Sequence, residues 1–468
     1  MTQNLYDRLE HYCSYGPYPF HMPGHKRRLA PNAQLPYGWD VTEVPGTDDL
    51  HEAEGILAEA MERTGTFWGS QKTWDLVNGS TCGLLSGIRA LAPQGSRILA
   101  ARNCHKAVYH AIELGNLQVR WLMPQLLPEG ICGPIEPEAL QKALEETPDA
   151  ACVVLTSPTY EGILTDIAAC AAICHARGVP LLVDEAHGAH LGLFSGWPDS
   201  ALHQGADVVV QSVHKTLPCL TQTALLHLGK GSLADPEEVE RQLDIFETSS
   251  PSYPLMVSID ACTDLLIRQG EYLFARWKQR LDLFDQEVRG LQHLQVLGHS
   301  RGFPLGFDPG KLPIFTGRTN LRGADLARIL RQRYGMETEM SQGDICLAMT
   351  GLGDSDRAMR SLSSALLELD SLVSSADRQA AVTLPEPGNY VCSISQAAAG
   401  RGRQVPISQA EGETAAEYVW AYPPGIPLIV PGEAVSARTV QVAQALQASG
   451  TALHHSRSRG QELLVLDK

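Results

Sequence analysis

Three short segments carry side chains that can do chemistry, and each follows a run of apolar residues. Asn78-Gly79-Ser80-Thr81 follows Leu76-Val77 and opens a helical pattern that runs toward Leu91. Glycine permits close backbone approach, the hydroxyls of Ser80 and Thr81 donate hydrogen bonds, and a helix N-terminus adds open N–H groups. Together these make a phosphate cradle, although the same residues also serve as an ordinary helix cap. Val183-Asp184-Glu185-Ala186-His187 places a carboxylate at the end of an apolar run, where it is costly unless a cation meets it. Asp184 could make a structural salt bridge or hold a ligand nitrogen protonated, and His187, three residues on, could reach the same ligand. Gln211-Ser212-Val213-His214-Lys215 follows Val208-Val209-Val210. A lysine is usually solvated, but one at a strand end beside Ser212 and His214 can form a Schiff base.

These segments need a scaffold that brings strand ends together. Between about residues 75 and 230, short apolar runs at 97–100, 118–122, 151–155, 179–183 and 207–210 alternate with helical patterns at 105–114, 136–146 and 167–177. The runs lack polar alternation, which predicts strands buried on both faces of a mostly parallel α/β sheet. Ligands bind at the carboxyl ends of such strands, where all three segments fall. Asp184 and Lys215 are 31 residues apart, room for one further strand, which puts both at one edge. A phosphate cradle, a strand-end aspartate and a strand-end lysine, in that order, form a pyridoxal phosphate site. Asp184-Glu185-Ala186-His187 also matches a helicase box, but the chain has no Gly-x-x-x-x-Gly-Lys-Ser/Thr loop to accompany it.

Further segments extend this pattern: His21-Met22-Pro23-Gly24-His25-Lys26, Glu43 to Leu50, Arg102-Asn103-Cys104-His105-Lys106, Glu247 to Tyr253, Pro423 to Pro427 and Pro431-Gly432-Glu433. With them the chain resembles, end to end, the ornithine/lysine/arginine decarboxylases. These are fold-type I pyridoxal-phosphate enzymes with an aspartate aminotransferase-like large domain and smaller α+β C-terminal parts. The resemblance implies Lys215 as the Schiff-base lysine, Asp184 as partner of the pyridine nitrogen, and His105 as the imidazole stacked on the ring. It implies phosphate or nearby contacts for Gly79, Ser80, Thr81, Ser212 and His214, and a ring-side contact for His187. Lys215 or His214 would return a proton to Cα. Thr248 and Ser249 would be lent by a neighbouring subunit, so the implied assembly is at least a homodimer with shared active sites.

The implied substrate is a small basic amino acid, arginine before lysine or ornithine, in the service of polyamine synthesis. Asp48, Glu161 and Glu433 are the candidate acidic partners for its distal group, each equally readable as a cap or turn residue. The chain begins almost directly at the arm, without an N-terminal wing domain, and so resembles the shorter, biosynthetic-type branch. Transamination and aldol cleavage share the cofactor contacts; Arg318 and Arg322 lie where a transaminase would grip a carboxylate. A non-catalytic regulator is disfavoured by the intact cradle, aspartate and lysine.

The expected organisation is an arm at 1–50, a cofactor-binding domain at 51–292, a small α/β subdomain at 293–373, a linker at 374–384 and a C-terminal domain at 385–468. Of 468 residues, 53 are acidic and 37 basic, a net charge of −16, which disfavours nucleic acid and anionic membranes and suits a cationic substrate. There is no basic-then-apolar leader and no spanning apolar run. Eleven cysteines without framework spacing suit a reducing cytoplasm. Cys170, Cys174 and His175 read as packing in an alanine-rich helix, and no metal is expected.

Overall fold

The structure is a computed structural model that describes residues 18–20, 48–298, 306–376, 384–421, 425–448 and 451–467. The expected arm therefore lies almost wholly outside the described residues, as do 377–383 of the expected linker and Pro423-Pro424.

After β1 (Tyr18–Phe20), the chain enters α1 (Ile56–Trp68) and β2 (Lys72–Leu76). Alternation then runs α2 (Gly79–Leu91), β3 (Arg97–Ala101), α3 (Lys106–Leu114), β4 (Gln118–Leu122), α4 (Pro137–Glu145), β5 (Ala150–Thr156), α5 (Ile167–His175), β6 (Leu181–Asp184) and β7 (Val208–Gln211). The short α6 (Val213–Thr216) leads to β8 (Ala224–Leu228), α7 (Pro236–Phe246) and the long α8 (Tyr253–Glu287). Seven strands form one sheet in the order β2-β8-β7-β6-β5-β3-β4, and only β8 runs against its neighbours.

The strands are apolar on both faces because both faces are covered. Leu99, Val153, Leu155, Leu181, Val183 and Val209 enter one core, while Ile98, Cys152, Val154, Leu182, Val208 and Val210 enter the other. Helix α2 lies unusually close to the sheet. A Cβ at Gly83 would stand 2.7 Å from Leu76 Cδ1, and one at Gly87 2.7 Å from Leu182 Cδ1. These two small residues, one turn apart, let the helix settle directly on β2, β6 and β7. That seat aims its N-terminus at the sheet's carboxyl edge.

A second sheet, antiparallel, has the order β12-β13-β10-β9, built from β9 (Gln295–Val296), β10 (Lys311–Phe315), β12 (Met340–Gln342) and β13 (Ile345–Met349). β11 (Met336–Thr338) pairs with β1, and helices α9 (Gly323–Tyr334) and α10 (Asp356–Leu372) accompany this part. The last stretch holds α11 (Ile394–Ala399), β14 (Gly402–Pro406), β15 (Val419–Ala421), β16 (Ile426–Ile429), α12 (Ala437–Ala448), β17 (Leu453–His455) and β18 (Glu462–Leu466). Its Ile394, Tyr418 and Val430 pack into the core beside α3.

Fully buried Arg102, just after β3, ties this last stretch to the main sheet. It donates to the carbonyls of Pro427, at 2.6 Å, and Leu428, and lies 3.6 Å from the Glu433 carboxylate.

Candidate active site

The carboxyl ends of β2, β3, β5, β6 and β7 converge on a cleft of about 400 Å³. Asn78 to Thr81, His105, Glu161, Asp184, His187, Ser212, His214 and Lys215 all line it. Thus the structure brings together ten of the fourteen expected site positions, as follows from their common place at the end of a strand or within five residues after it.

At one end, Asn78 makes no side-chain cap on α2, so the first N–H groups of that helix face the cleft. Ser80 Oγ and Ser212 Oγ are 2.6 Å apart, joining the α2 entry to the β7 exit. Gly79 has φ +74°, which favours glycine at this turn. Gln222, also in the lining, donates to the Val77 carbonyl and steadies the turn from β8's side.

Asp184 is buried, and its Oδ1 accepts from the Ala186 N–H at 3.1 Å. Burial pushes its carboxyl above the ordinary range, and the Lys215 charge works against that rise. Lys215 is lowered by burial, opposed by Asp184. His105 caps α3, with Nδ1 accepting from the Ala107 N–H at 3.3 Å, which fixes the ring's direction. Burial, then the charges of Lys215 and Lys106, lower it to about 3, so it is a neutral ring at physiological pH. His214 Nδ1 donates to the Thr223 carbonyl at 2.7 Å. His187 Nε2 is 3.0 Å from Lys215 Nζ.

Four expected positions stand elsewhere. Asp48 accepts backbone N–H bonds from Asp49, Glu54, Gly55 and Leu57. Burial would raise it, but those four donors hold it below the usual range, and it serves as a turn anchor. Glu433 faces Arg102, so this carboxylate already has a cation from its own chain. Thr248 and Ser249 lie between α7 and α8 and do not line the cleft of their own chain. Glu161 is the one expected substrate carboxylate that does. It is raised by burial, with a Thr159 hydrogen bond and the Lys311 charge acting against the rise.

Some participants escaped the sequence reading. The far wall of the cleft is Gln342 from β12 with Leu384, Ala421, Ile426 and Leu428, contributed by later parts of the chain. Lys311, 1% exposed, stands behind His187; a lysine opening the apolar run Leu312 to Phe315 was the available signal. Of the other candidates, Arg322 is engaged with Asp344 at 3.0 Å, and His175 with Asp207 at 2.8 Å, while Cys170 and Cys174 are core residues.

The fold is that of fold-type I pyridoxal-phosphate enzymes. It recurs in the Francisella novicida lysine decarboxylase LdcF, with TM-score 0.75 and 18% identity over 90% of this chain and 73% of that one. It recurs more distantly in an alanine–glyoxylate aminotransferase from Nostoc sp., with TM-score 0.55 and 15% identity over 73% of this chain and 94% of that one. The family model "Orn/Lys/Arg decarboxylase, major domain" matches residues 3–299, and "Orn/Lys/Arg decarboxylase, C-terminal domain" matches 380–455. The Bacillus subtilis (strain 168) protein YaaO is 34% identical over 94% of this chain and 93% of its own length. An arginine decarboxylase of Halalkalibacterium halodurans is 31% identical, covering 92% and 91%. An arginine decarboxylase of Bacillus subtilis is 30% identical, covering 93% and 92%.

The chain belongs to the Orn/Lys/Arg decarboxylase family, and it is a pyridoxal-phosphate-dependent amino-acid decarboxylase. The residues present fit that cofactor. Beyond the cradle, Asp184 and Lys215, the cleft lining holds two buried oxygens that meet no protein partner, Asn103 Oδ1 and Thr156 Oγ1. Buried polar atoms of this kind normally find a partner, here a polar group in the cleft. Among the described residues no helix is long and apolar enough to cross a membrane.

Proposed function

We propose that this enzyme converts L-arginine to agmatine and carbon dioxide, ahead of lysine and ornithine, and that it supplies polyamine synthesis. The observation that carries the substrate is the near-full-length identity to two arginine decarboxylases. Glu161 supports it, because a buried carboxylate in the cleft is stabilised when a guanidinium arrives. The net charge of −16 adds a salt-sensitive attraction for a cationic substrate.

When bound, pyridoxal phosphate supplies a conjugated ring that accepts the electrons of the breaking Cα–carboxylate bond. The residues around it divide the remaining work. Lys215 anchors the cofactor through its Nζ. Asp184 holds a proton at the ring nitrogen, and its carboxylate is favoured when that cation is present. Neutral His105, fixed by its hydrogen bond to Ala107, packs against the ring and keeps water from it. The α2 N-terminus, Gly79, Ser80, Thr81 and Ser212 hold the phosphate. His187 offers its cleft-facing Nε2 to the ring side, and His214 orients the loop that carries Lys215. Lys215 or His214 returns the proton to Cα.

The active form is a homodimer in which Thr248 and Ser249 complete the partner's phosphate site, in the cytoplasm. Support comes from their position outside their own cleft and from ten described cysteines that are all unpaired. Residues 51–292, 293–373 and 385–468 are taken as its domains, joined by 374–384. Incubation with an equimolar mixture of arginine, lysine and ornithine tests the substrate. Agmatine should dominate the amine products; cadaverine or putrescine in excess would overturn the assignment. Mixing Lys215→Ala chains with Ser249→Trp chains should restore part of the activity if the sites are shared.

A further inference from the structure

Behind the cleft stands a buried cation that the functions assigned so far do not use. Lys311 opens β10 in the antiparallel sheet, and its Nζ lies 2.7 Å from His187 Nδ1. The other nitrogen of that ring, Nε2, lies 3.0 Å from Lys215 Nζ. One imidazole is thus bracketed by two lysines, one from the short helix α6 and one from β10 of the antiparallel sheet.

The two contacts differ because Lys215, the lysine read as forming the Schiff base, acts as a neutral amine that can accept a hydrogen bond, and burial lowers it; Lys311 is left as the ammonium. An ammonium has three donors and no acceptor. The bond between Lys311 and Nδ1 therefore runs from Nζ–H to a ring nitrogen that keeps its lone pair. The ring proton then sits on Nε2 and points at Lys215. A second ring proton is opposed by burial, then by the charges of Lys215 and Lys311, with His105 and His214 acting the same way. The Tyr160 ring packs on His187 at 4.5 Å between centroids.

The path for Lys311 is built into the chain. Gly162 has φ +110°, and a Cβ there would come within 2.8 Å of both Lys311 Cβ and Cγ. The Gly162 carbonyl also accepts from the Asp308 N–H at 2.8 Å, holding the start of this turn against the cleft wall. Lys311 Nζ further contacts Met349 Sδ at 3.4 Å and lies 5.8 Å from the Tyr160 ring centre.

We propose that Lys311 is a positioning residue that fixes His187 as its Nε2–H tautomer, so that the side of the imidazole turned to the cleft is a hydrogen-bond donor. This rests on the reading of Lys215 as the cofactor lysine. A donor fixed beside Lys215 Nζ favours the neutral amine there, the form that attacks a carbonyl carbon. It also presents a constant donor to an acceptor atom of whatever occupies the ring side of the cleft.

The test uses full-length enzyme labelled with 15N-histidine, with and without pyridoxal phosphate, in two-bond 15N–1H correlation spectra. His187 is identified by the signal lost in His187→Gln. In the unaltered protein its Nδ1 should carry the shift of an unprotonated nitrogen and Nε2 that of a protonated one, from about pH 6 to about pH 9. Lys311→Met should populate the opposite tautomer and raise the ring's titration midpoint by about one pH unit or more. Lys311→Arg, which keeps a charged donor, should move the spectrum back toward the original. Should Lys311→Met fail to fold, Gly162→Ala displaces the same side chain and should mix the tautomers.

An Nδ1–H signal in the unaltered protein, or an unchanged tautomer in Lys311→Met or Gly162→Ala, would overturn the proposal. Borohydride reduction of the loaded enzyme followed by peptide mapping checks Lys215 separately. Cofactor fixed to another lysine sinks that reading, whatever the histidine signals report.

Discussion

The two ends of the cleft are made in different ways. At the cofactor end, every side chain lies within a few residues of the carboxyl end of a central strand, and α2 is seated there by Gly83 and Gly87. At the far end, the wall is assembled from β12 and from residues 384, 421, 426 and 428, which arrive only because Arg102 and the core beside α3 hold the last stretch in place. The first end is rich in polar groups that satisfy one another across neighbouring loops. The second is mostly apolar, with Gln342 as its polar side chain. The first end is built by local chain geometry, the second by long-range packing.

Mutations that strike the first end should therefore abolish chemistry, and those at the second should redistribute it. The largest effect is expected for Lys215→Ala, with turnover down at least about 10⁴-fold and the visible absorbance of the bound cofactor gone. Retained steady-state turnover would break the comparison at its root. Asp184→Asn should keep part of the cofactor bound while the decarboxylation rate drops by about two to three orders of magnitude; a single-turnover rate near normal would remove the proton-holding role.

For the cleft carboxylate, Glu161→Gln should leave kcat within a few-fold but lower kcat/KM for arginine by about 100-fold, as loss of a buried charged contact predicts. The pH dependence sharpens this. Burial raises the Glu161 carboxyl, and only its ionised form, present above that elevated pKa, attracts a guanidinium. KM for arginine should rise as pH falls through a range higher than an ordinary glutamate would give, and Glu161→Gln should flatten that rise. An unchanged pH profile of KM in the variant would assign the distal contact to another residue. The smallest effect is expected for Ile426→Ala, which should change the ratio of kcat/KM for arginine over lysine by about ten-fold or less; equal losses on both substrates would mean the wall does not measure length.

The same contrast explains what the sequence revealed. The helix expected to run toward Leu91 ends there, the helical patterns at 105–114 and 167–177 become α3 and α5, and the strands leading to Asp184 and Lys215 adjoin in parallel register. Apolar runs between helical patterns are local signals, and the post-strand positions inherit them. β8, the strand that runs against the rest, and β2 beside it carry no distinguishing pattern, because burial on both faces looks alike in either direction. Asp48 and Glu433 resembled substrate contacts because their motifs are acidic, yet four backbone donors and Arg102 claim them. Lys311 stayed hidden because its partner, His187, is distant in the chain, and only the tertiary fold joins them.

The roof of the cleft has a consequence for how such an enzyme changes over generations. Leu384, Ala421, Ile426 and Leu428 lie far along the chain from the segments that carry Lys215, Asp184 and Asn78 to Thr81, and line the same cleft. Substitution, or exchange of the whole terminal stretch between relatives, can reshape that wall while the strand-end segments are inherited intact.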